Sequence, residues 1–226
     1  MFHSSFQALI NWDKHWLLTI NGWHSPSADA FFWLMSSKLF PVVLSLLLIY
    51  FLWKNNGLKT FFYIVFIALT VLIADQIASG VVKPLVARLR PTHDPSMASM
   101  IHIVHQYTGG LYGFVSSHAS ITMATSLFVT LLTRQKLLSF LFFFWALVTC
   151  YSRIYLGVHY PLDVLGGMVI GLFSGALVYY FMMSLAHHVR AFKQLSRPAL
   201  IPTKDAIRFF WIVMGFWVIV LLACIY

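Results

Sequence analysis

Six long apolar runs take up most of this chain, with approximate limits 30–53, 59–82, 116–133, 137–152, 161–186 and 208–226. A helix needs roughly 20 apolar residues to cross the hydrocarbon core of a bilayer. Inside that core each backbone N–H and C=O must find its partner within the protein, so runs of this length fold as helices packed on helices. The composition agrees: 60% of residues are hydrophobic and only 9% charged, with a mean hydropathy of +0.82. This excludes a soluble domain. The predicted fold class is an all-α polytopic membrane bundle of about six transmembrane helices, forming a single domain over 1–226.

Residues 1–25 precede the first run. There Phe6, Leu9, Ile10, Trp16, Leu17 and Ile20 have the spacing of an amphipathic helix lying in the membrane interface. Asp13, Lys14 and His15 interrupt that stretch, so it is neither a seventh span nor the apolar core of a cleavable signal peptide. The net charge of +9 does not form a nucleic-acid-binding stripe, because the basic residues sit between the apolar runs. One side of the bundle takes Lys54, Lys59, Arg134, Lys136, Arg190, Lys193, Arg197, Lys204 and Arg208. The other takes Lys14, Lys83, Arg88, Arg90 and Arg153, with Lys38 near a boundary. The first side is expected to be cytoplasmic. In a bacterial inner membrane the 84–115 loop and the turn at His159 then face the periplasm. Cys150 and Cys224 lie in apolar runs and read as packed thiols.

Three polar clusters fall on that non-cytoplasmic side. The first is KPLVARLRP, Lys83 to Pro91. Pro84 suits the first turn of a short helix that Pro91 would stop, and on such a helix Lys83 and Arg90 differ by only about 20° and share a face, with Arg88 well off it. The second is GFVSSHAS, Gly113 to Ser120, where Ser116 or Ser117 would cap a helix whose free amides suit a phosphate and His118 stands alongside. The third is YSRIYLGVHYPLDVLGG, Tyr151 to Gly167. Here Asp163 lies one helical turn from His159, where it would accept the N–H of one ring nitrogen and leave the other as a nucleophile. Arg153 would bind an oxyanion.

Taken singly, each cluster has a plain structural use as interfacial anchors, a helix start or a His–Asp pair. Together they place two histidines, a carboxylate, three cations and a helix N-terminus on one membrane face. Cations with amides select an oxyanion, a backed histidine supplies a nucleophile, and a second histidine supplies an acid. No cysteine set, paired carboxylates or His-x-x-x-His spacing calls for a metal. The combination reads as phosphoryl transfer.

These residues resemble the motifs of the type 2 phosphatidic acid phosphatase (PAP2) superfamily, which also includes vanadium haloperoxidases and bacterial glucose-6-phosphatase-like enzymes. Its first motif, Lys, six residues, Arg-Pro, matches Lys83 to Arg90-Pro91; its third, Ser-Arg, five residues, His, three residues, Asp, matches Ser152, Arg153, His159 and Asp163. The central motif, usually Pro-Ser-Gly-His, is here Val115-Ser116-Ser117-His118. The motifs span 83–163, and the flanking runs match in hydropathy alone. The resemblance implies that His159 attacks phosphorus with Asp163 as its orienting partner. It implies that His118 protonates the leaving oxygen and then activates water. Lys83, Arg90, Arg153, Ser116 and the Ser117 amide would hold the phosphate, with no metal ion and no cofactor.

Other polar residues are expected to be structural. Asp75 reads as packing or an ion pair within the bundle, and His93, Asp94, His102 and His105 as solvated loop residues. Gly166, Gly167, Gly171 and Gly175 read as a close-packing face. The implied substrate is a membrane lipid phosphate or diphosphate: undecaprenyl diphosphate, slightly favoured on family frequency, phosphatidylglycerol phosphate, phosphatidic acid or a lipid A phosphate. The alternatives are a lipid phosphotransferase using the same residues and a non-enzymatic membrane protein binding anionic lipid. The sequence does not indicate an oligomeric state.

Overall fold

The structure, a computed structural model, describes residues 2–225, without the side chains of residues 2–4, 6 and 191. The predicted apolar contact of Phe6 and the last residue of the final run, Tyr226, therefore lie outside the described residues. The helices are α1 (Phe2–Gly22), α2 (Pro26–Ser36), α3 (Leu39–Asn56), α4 (Lys59–Asp75), a π-helical segment (Gln76–Val82), α5 (Lys83–Val86), α6 (Ser117–Thr133), α7 (Lys136–Tyr155), α8 (Pro161–His188) and α9 (Thr203–Ile225). Among the described residues there is no sheet, only an isolated antiparallel bridge between Leu89 and Tyr112.

Among the described residues, five helical rods are long and apolar enough to cross a membrane: α3, the continuous Lys59–Val86 rod, α7, α8 and α9. The sixth expected span is α6, at 17 residues the shortest, with most of its side chains buried. It is the central helix, walled by protein rather than lipid. Its packing against α8 follows from composition. Gly167, Gly171 and Gly175 recur every four residues and so share one face of α8, and a Cβ at each would run into the carbonyl oxygens of Ser116, Ser120 and Ala124 of α6 and its cap. The predicted close-packing face is thus formed. Phe51, Phe66, Phe128, Phe142, Tyr179 and Phe209 belong to the main apolar core, while Leu46, Val169, Phe173 and Ile219 point outward as a lipid-facing surface would require.

The 30–53 run is not one helix. It breaks at Ser37, which leaves helical geometry at φ −77° and ψ 170°. The Ser37 hydroxyl donates to Leu34 O at 2.7 Å and accepts from Leu39 N–H at 3.2 Å. A serine offering the backbone such local partners competes with the helical ladder, and hydropathy cannot register that. The break brings half-buried Ser36 and Ser37 and exposed Lys38 to the rim of a cavity in the bundle.

At the opposite end, Lys54 and Asn55 of α3 donate to buried Asp205 of α9, at 2.7 and 3.0 Å. At the motif-bearing end, α1 lies across α7 and α8. Leu17 is buried there with Met97, Ile101 and Tyr160. Asp13, which in the sequence interrupts the apolar stretch, is fully buried.

Candidate active site

The rod carrying Lys83 widens before it ends. After Asp75 the helix takes π-helical turns over Gln76–Val82, and α5 follows. The short helix predicted to run to Pro91 stops at Val86, because Ala87 adopts a left-handed conformation with φ 47°. Lys83 and Arg90 therefore do not share a helix face. Arg90 arrives on an extended segment paired with the 111–113 stretch: Arg90 N–H donates to Leu111 O at 3.0 Å and Gly113 N–H to Arg88 O at 2.8 Å. The Arg90 guanidinium is steadied by the carbonyls of Tyr112 and Val158, at 3.2 and 3.3 Å.

Ser116 is the N-cap of α6, as predicted, but its hydroxyl does not cap the helix and has no partner. Its N–H donates instead to Asp163 O at 2.8 Å, tying the starts of α6 and α8 together. The Ser117 hydroxyl accepts from Lys83 Nζ and lies 2.7 Å from Ser79 Oγ, which donates to Asp75 Oδ1 at 2.9 Å. Each hydroxyl has one proton, so the run has a single direction, from Lys83 through Ser117 and Ser79 to Asp75. Asp75 thus forms no simple packing contact, and the residue standing at the family's usual glycine is a link in this chain.

Arg153, at the end of α7, is buried and donates to Ser36 Oγ across the α2–α3 break, with the Tyr107 hydroxyl at 3.5 Å. His159 lies in the α7–α8 turn at 1% exposure. Asp163 Oδ2 stands 3.5 Å from His159 Nδ1, outside hydrogen-bond geometry, so the predicted ring-to-carboxylate bond is not made. That oxygen accepts from Tyr160 N–H at 3.0 Å, and Oδ1 accepts from Arg88 at 2.9 Å. Arg88 also donates to Asp13 Oδ2 at 2.6 Å, and Asp13 Oδ1 takes the Leu162 N–H at 2.8 Å. Sequence reasoning set Arg88 and Asp13 aside. The signal was present, since an arginine and an aspartate near apolar segments both need a counter-charge.

A cavity of about 300 Å³ opens among these elements. Its wall includes Lys83, Arg90, Ser117, His118 and His159, with Asp75 and Ser79 beside them. Ser36, Ser37 and Lys38 close it from the α2–α3 break, and Met35, Pro41, Ile121 and Trp145 supply an apolar side. Ser116, Arg153 and Asp163 stand one layer behind: Ser116 through its bond to Asp163, Arg153 through Ser36, and Asp163 beside His159. Burial, followed by the positive charges of Arg90, Arg153 and Lys83, pushes the His159 imidazole well below its ordinary range, so it is neutral. Among the described residues no three His, Cys, Asp or Glu side chains cluster as a metal site. Of the loop residues expected to be solvated, Asp94 accepts from Tyr160 Oη at 2.8 Å, His102 pairs with Asp29 at 2.9 Å and half-buried His93 meets the Thr92 hydroxyl at 3.1 Å, while His105 is exposed, with its ring against Trp33.

The model of the PAP2 superfamily matches residues 63–187, more than half of the chain. The chain belongs to the PAP2 superfamily. It is a multi-pass membrane enzyme of the PAP2 type that hydrolyses lipid phosphates or diphosphates. The lipid A 4'-phosphatase of Bacteroides thetaiotaomicron is 38% identical over 86% of this chain and 84% of its own length. That of Porphyromonas gingivalis is 32% identical over 88% and 85%. The crystal structure of LpxE from Aquifex aeolicus superposes with a TM-score of 0.58 at 22% identity, covering 74% of this chain and 93% of that one, so the PAP2 fold is common to both.

Proposed function

We propose that this PAP2 enzyme removes a phosphate from lipid A, at the 4'-position, by way of a phosphohistidine on His159. With Nδ1 turned to Asp163, Nε2 carries the lone pair and attacks phosphorus. The bond from phosphorus to the lipid oxygen breaks as His118 gives that oxygen its proton. His118 then takes a proton from water, whose oxygen attacks phosphorus and displaces His159 Nε2, releasing inorganic phosphate. Lys83, Arg90 and the Ser117 amide hold the equatorial oxygens, where charge is redistributed in the transition state. Arg153 and Ser116 support that cradle from behind.

The observation that carries the mechanism is the sharing of one cavity wall by His118, His159, Lys83 and Arg90. A neutral imidazole suits a nucleophile, and the donor set calls for no metal. The substrate rests on the two relatives, which are matched over five-sixths of their length or more and named for lipid A. That likeness supports reading the substrate as lipid A rather than the undecaprenyl diphosphate that family frequency favours. The basic residues gathered around Lys54, Arg134 and Arg208 support a cytoplasmic placement of the far end. The cavity then faces the periplasm of the inner membrane.

The test is phosphate release from purified protein in detergent against lipid A, undecaprenyl diphosphate, phosphatidylglycerol phosphate and phosphatidic acid, with quenching in alkaline denaturant to trap a base-stable, acid-labile phosphoenzyme. Lipid A should give the highest kcat/KM, and His159→Ala should lose both the phosphoenzyme and the turnover. Near-normal turnover in His159→Ala refutes the mechanism, and a higher kcat/KM for another lipid refutes the substrate.

A further inference from the structure

Two polar atoms on the cavity wall play no part in holding a phosphate. Trp145 Nε1 and Thr149 Oγ1 both belong to cavity-lining residues of α7, at 6% and 3% exposure, and neither has a hydrogen-bond partner. They are four residues apart and so share a helix face. Counting inward along α7 from Arg153, Thr149 lies about 6 Å and Trp145 about 12 Å away. The same cavity is also lined by Met35, Pro41 and Ile121, which are apolar, and by Thr122, whose hydroxyl is already bonded to His118 O.

Thr149 also departs from a local habit. Thr70, Thr122, Thr125, Ser126, Thr133 and Ser174 each return their hydroxyl to the carbonyl four residues earlier. Thr149 and Thr130 do not, and of the two only Thr149 lines the cavity. The Trp145 ring is fixed by Phe40 and Phe142, with centroids 6.5 and 6.2 Å away. A buried donor left without a partner is costly, and a wall with two of them at helical spacing is shaped for an acceptor.

We infer that Trp145 and Thr149 form an acyl-oxygen subsite: the indole N–H and the hydroxyl donate to carbonyl oxygens of fatty-acyl ester or amide groups on the substrate. This deepens the proposed function and rests on the phosphate lying against Lys83, Arg90 and His159. An acylated lipid phosphate carries such carbonyls a few bonds beyond its phosphate. A polyprenyl chain carries no oxygen there, so the subsite favours acylated lipids over polyprenyl diphosphates.

The test compares dilauroyl phosphatidic acid with its dialkyl ether counterpart, which keeps the phosphate and chains but lacks both carbonyls. Binding is measured to His159→Ala protein in detergent micelles, so no turnover is needed. The ester should bind about threefold to tenfold more tightly than the ether, the range expected of one or two net hydrogen bonds. Adding Trp145→Phe, which keeps an aromatic ring without the N–H, or Thr149→Val, which keeps the side-chain shape without the hydroxyl, should shrink that ratio toward one. Equal binding of the two lipids, no binding of either, or a preference that survives both substitutions overturns the proposal. Failure of the wild-type protein to release phosphate from lipid A removes the proposed function, yet leaves this binding comparison decisive for the subsite.

Discussion

Asp163 stands 3.5 Å from His159 Nδ1 while its hydrogen bonds go elsewhere, to the Tyr160 amide at 3.0 Å and Arg88 at 2.9 Å. The carboxylate is therefore fixed before the imidazole engages it, and the short approach still favours a proton on the nitrogen facing it. Gly113 belongs to the same arrangement: a Cβ there would lie 2.8 Å from Asp163 Oδ2. The orientation of the proposed nucleophile thus depends on a residue two steps away, in a different part of the chain.

Arg88 is the cation between two fully buried carboxylates, Asp13 and Asp163. Removing it in Arg88→Met leaves both without their counter-charge, a loss of about 3–5 kcal/mol. The variant should unfold at lower temperature in detergent and lose kcat, and the double variant Asp13→Asn/Arg88→Met should recover part of the stability. Thermal unfolding of the three proteins checks this.

The pH profile should show an unusual acid side. As the proposed nucleophile His159 must be neutral, and burial with Arg90, Arg153 and Lys83 holds its protonation well below the ordinary imidazole range. Activity limited by this group survives acidification through that range and is lost only below it. Arg90→Gln removes a positive charge that opposes protonation, so the acid limb of kcat/KM should move upward in pH. A limb that stays in place in this variant would contradict the electrostatic account.

Ser117 joins Lys83 to Ser79 and Asp75. Ser117→Ala deletes the shared partner and frees the ammonium to wander from the phosphate. A lost hydrogen bond to a charged group is worth about 1.5–3 kcal/mol, so KM should rise by about tenfold or more, with a smaller change in kcat. Steady-state kinetics on one lipid substrate is sufficient.

Gly171→Ala inserts a methyl group against the Ser120 carbonyl in the α6–α8 contact. Overpacking of this kind costs about 1–3 kcal/mol. Because α6 carries Ser117 and His118 at its start, activity should fall along with the unfolding temperature.

The helical bundle and the five residues that meet on the cavity wall were readable from the sequence because each signal is local: apolar length for the spans, and charged or nucleophilic types at fixed spacing for the site. What escaped was conformational. Arg90 was assigned to a helix that Ala87 ends by turning left-handed, and the 30–53 run hides a break made by one serine hydroxyl. Asp13 looked like an interruption of an amphipathic face, since its partners lie 75 and 149 residues away. Contacts at such separations leave no trace in periodicity or hydropathy.

The π-helical stretch between Asp75 and Lys83 sets the direction of everything after it. Deleting one of its seven residues would let the rod close into a regular α-helix, a change that favours the backbone and swings everything beyond it by about 100°. Lys83 would then face away from the cavity. The irregular turn is what sets the ammonium beside Ser117, so a straighter rod would be sturdier only by giving up that contact.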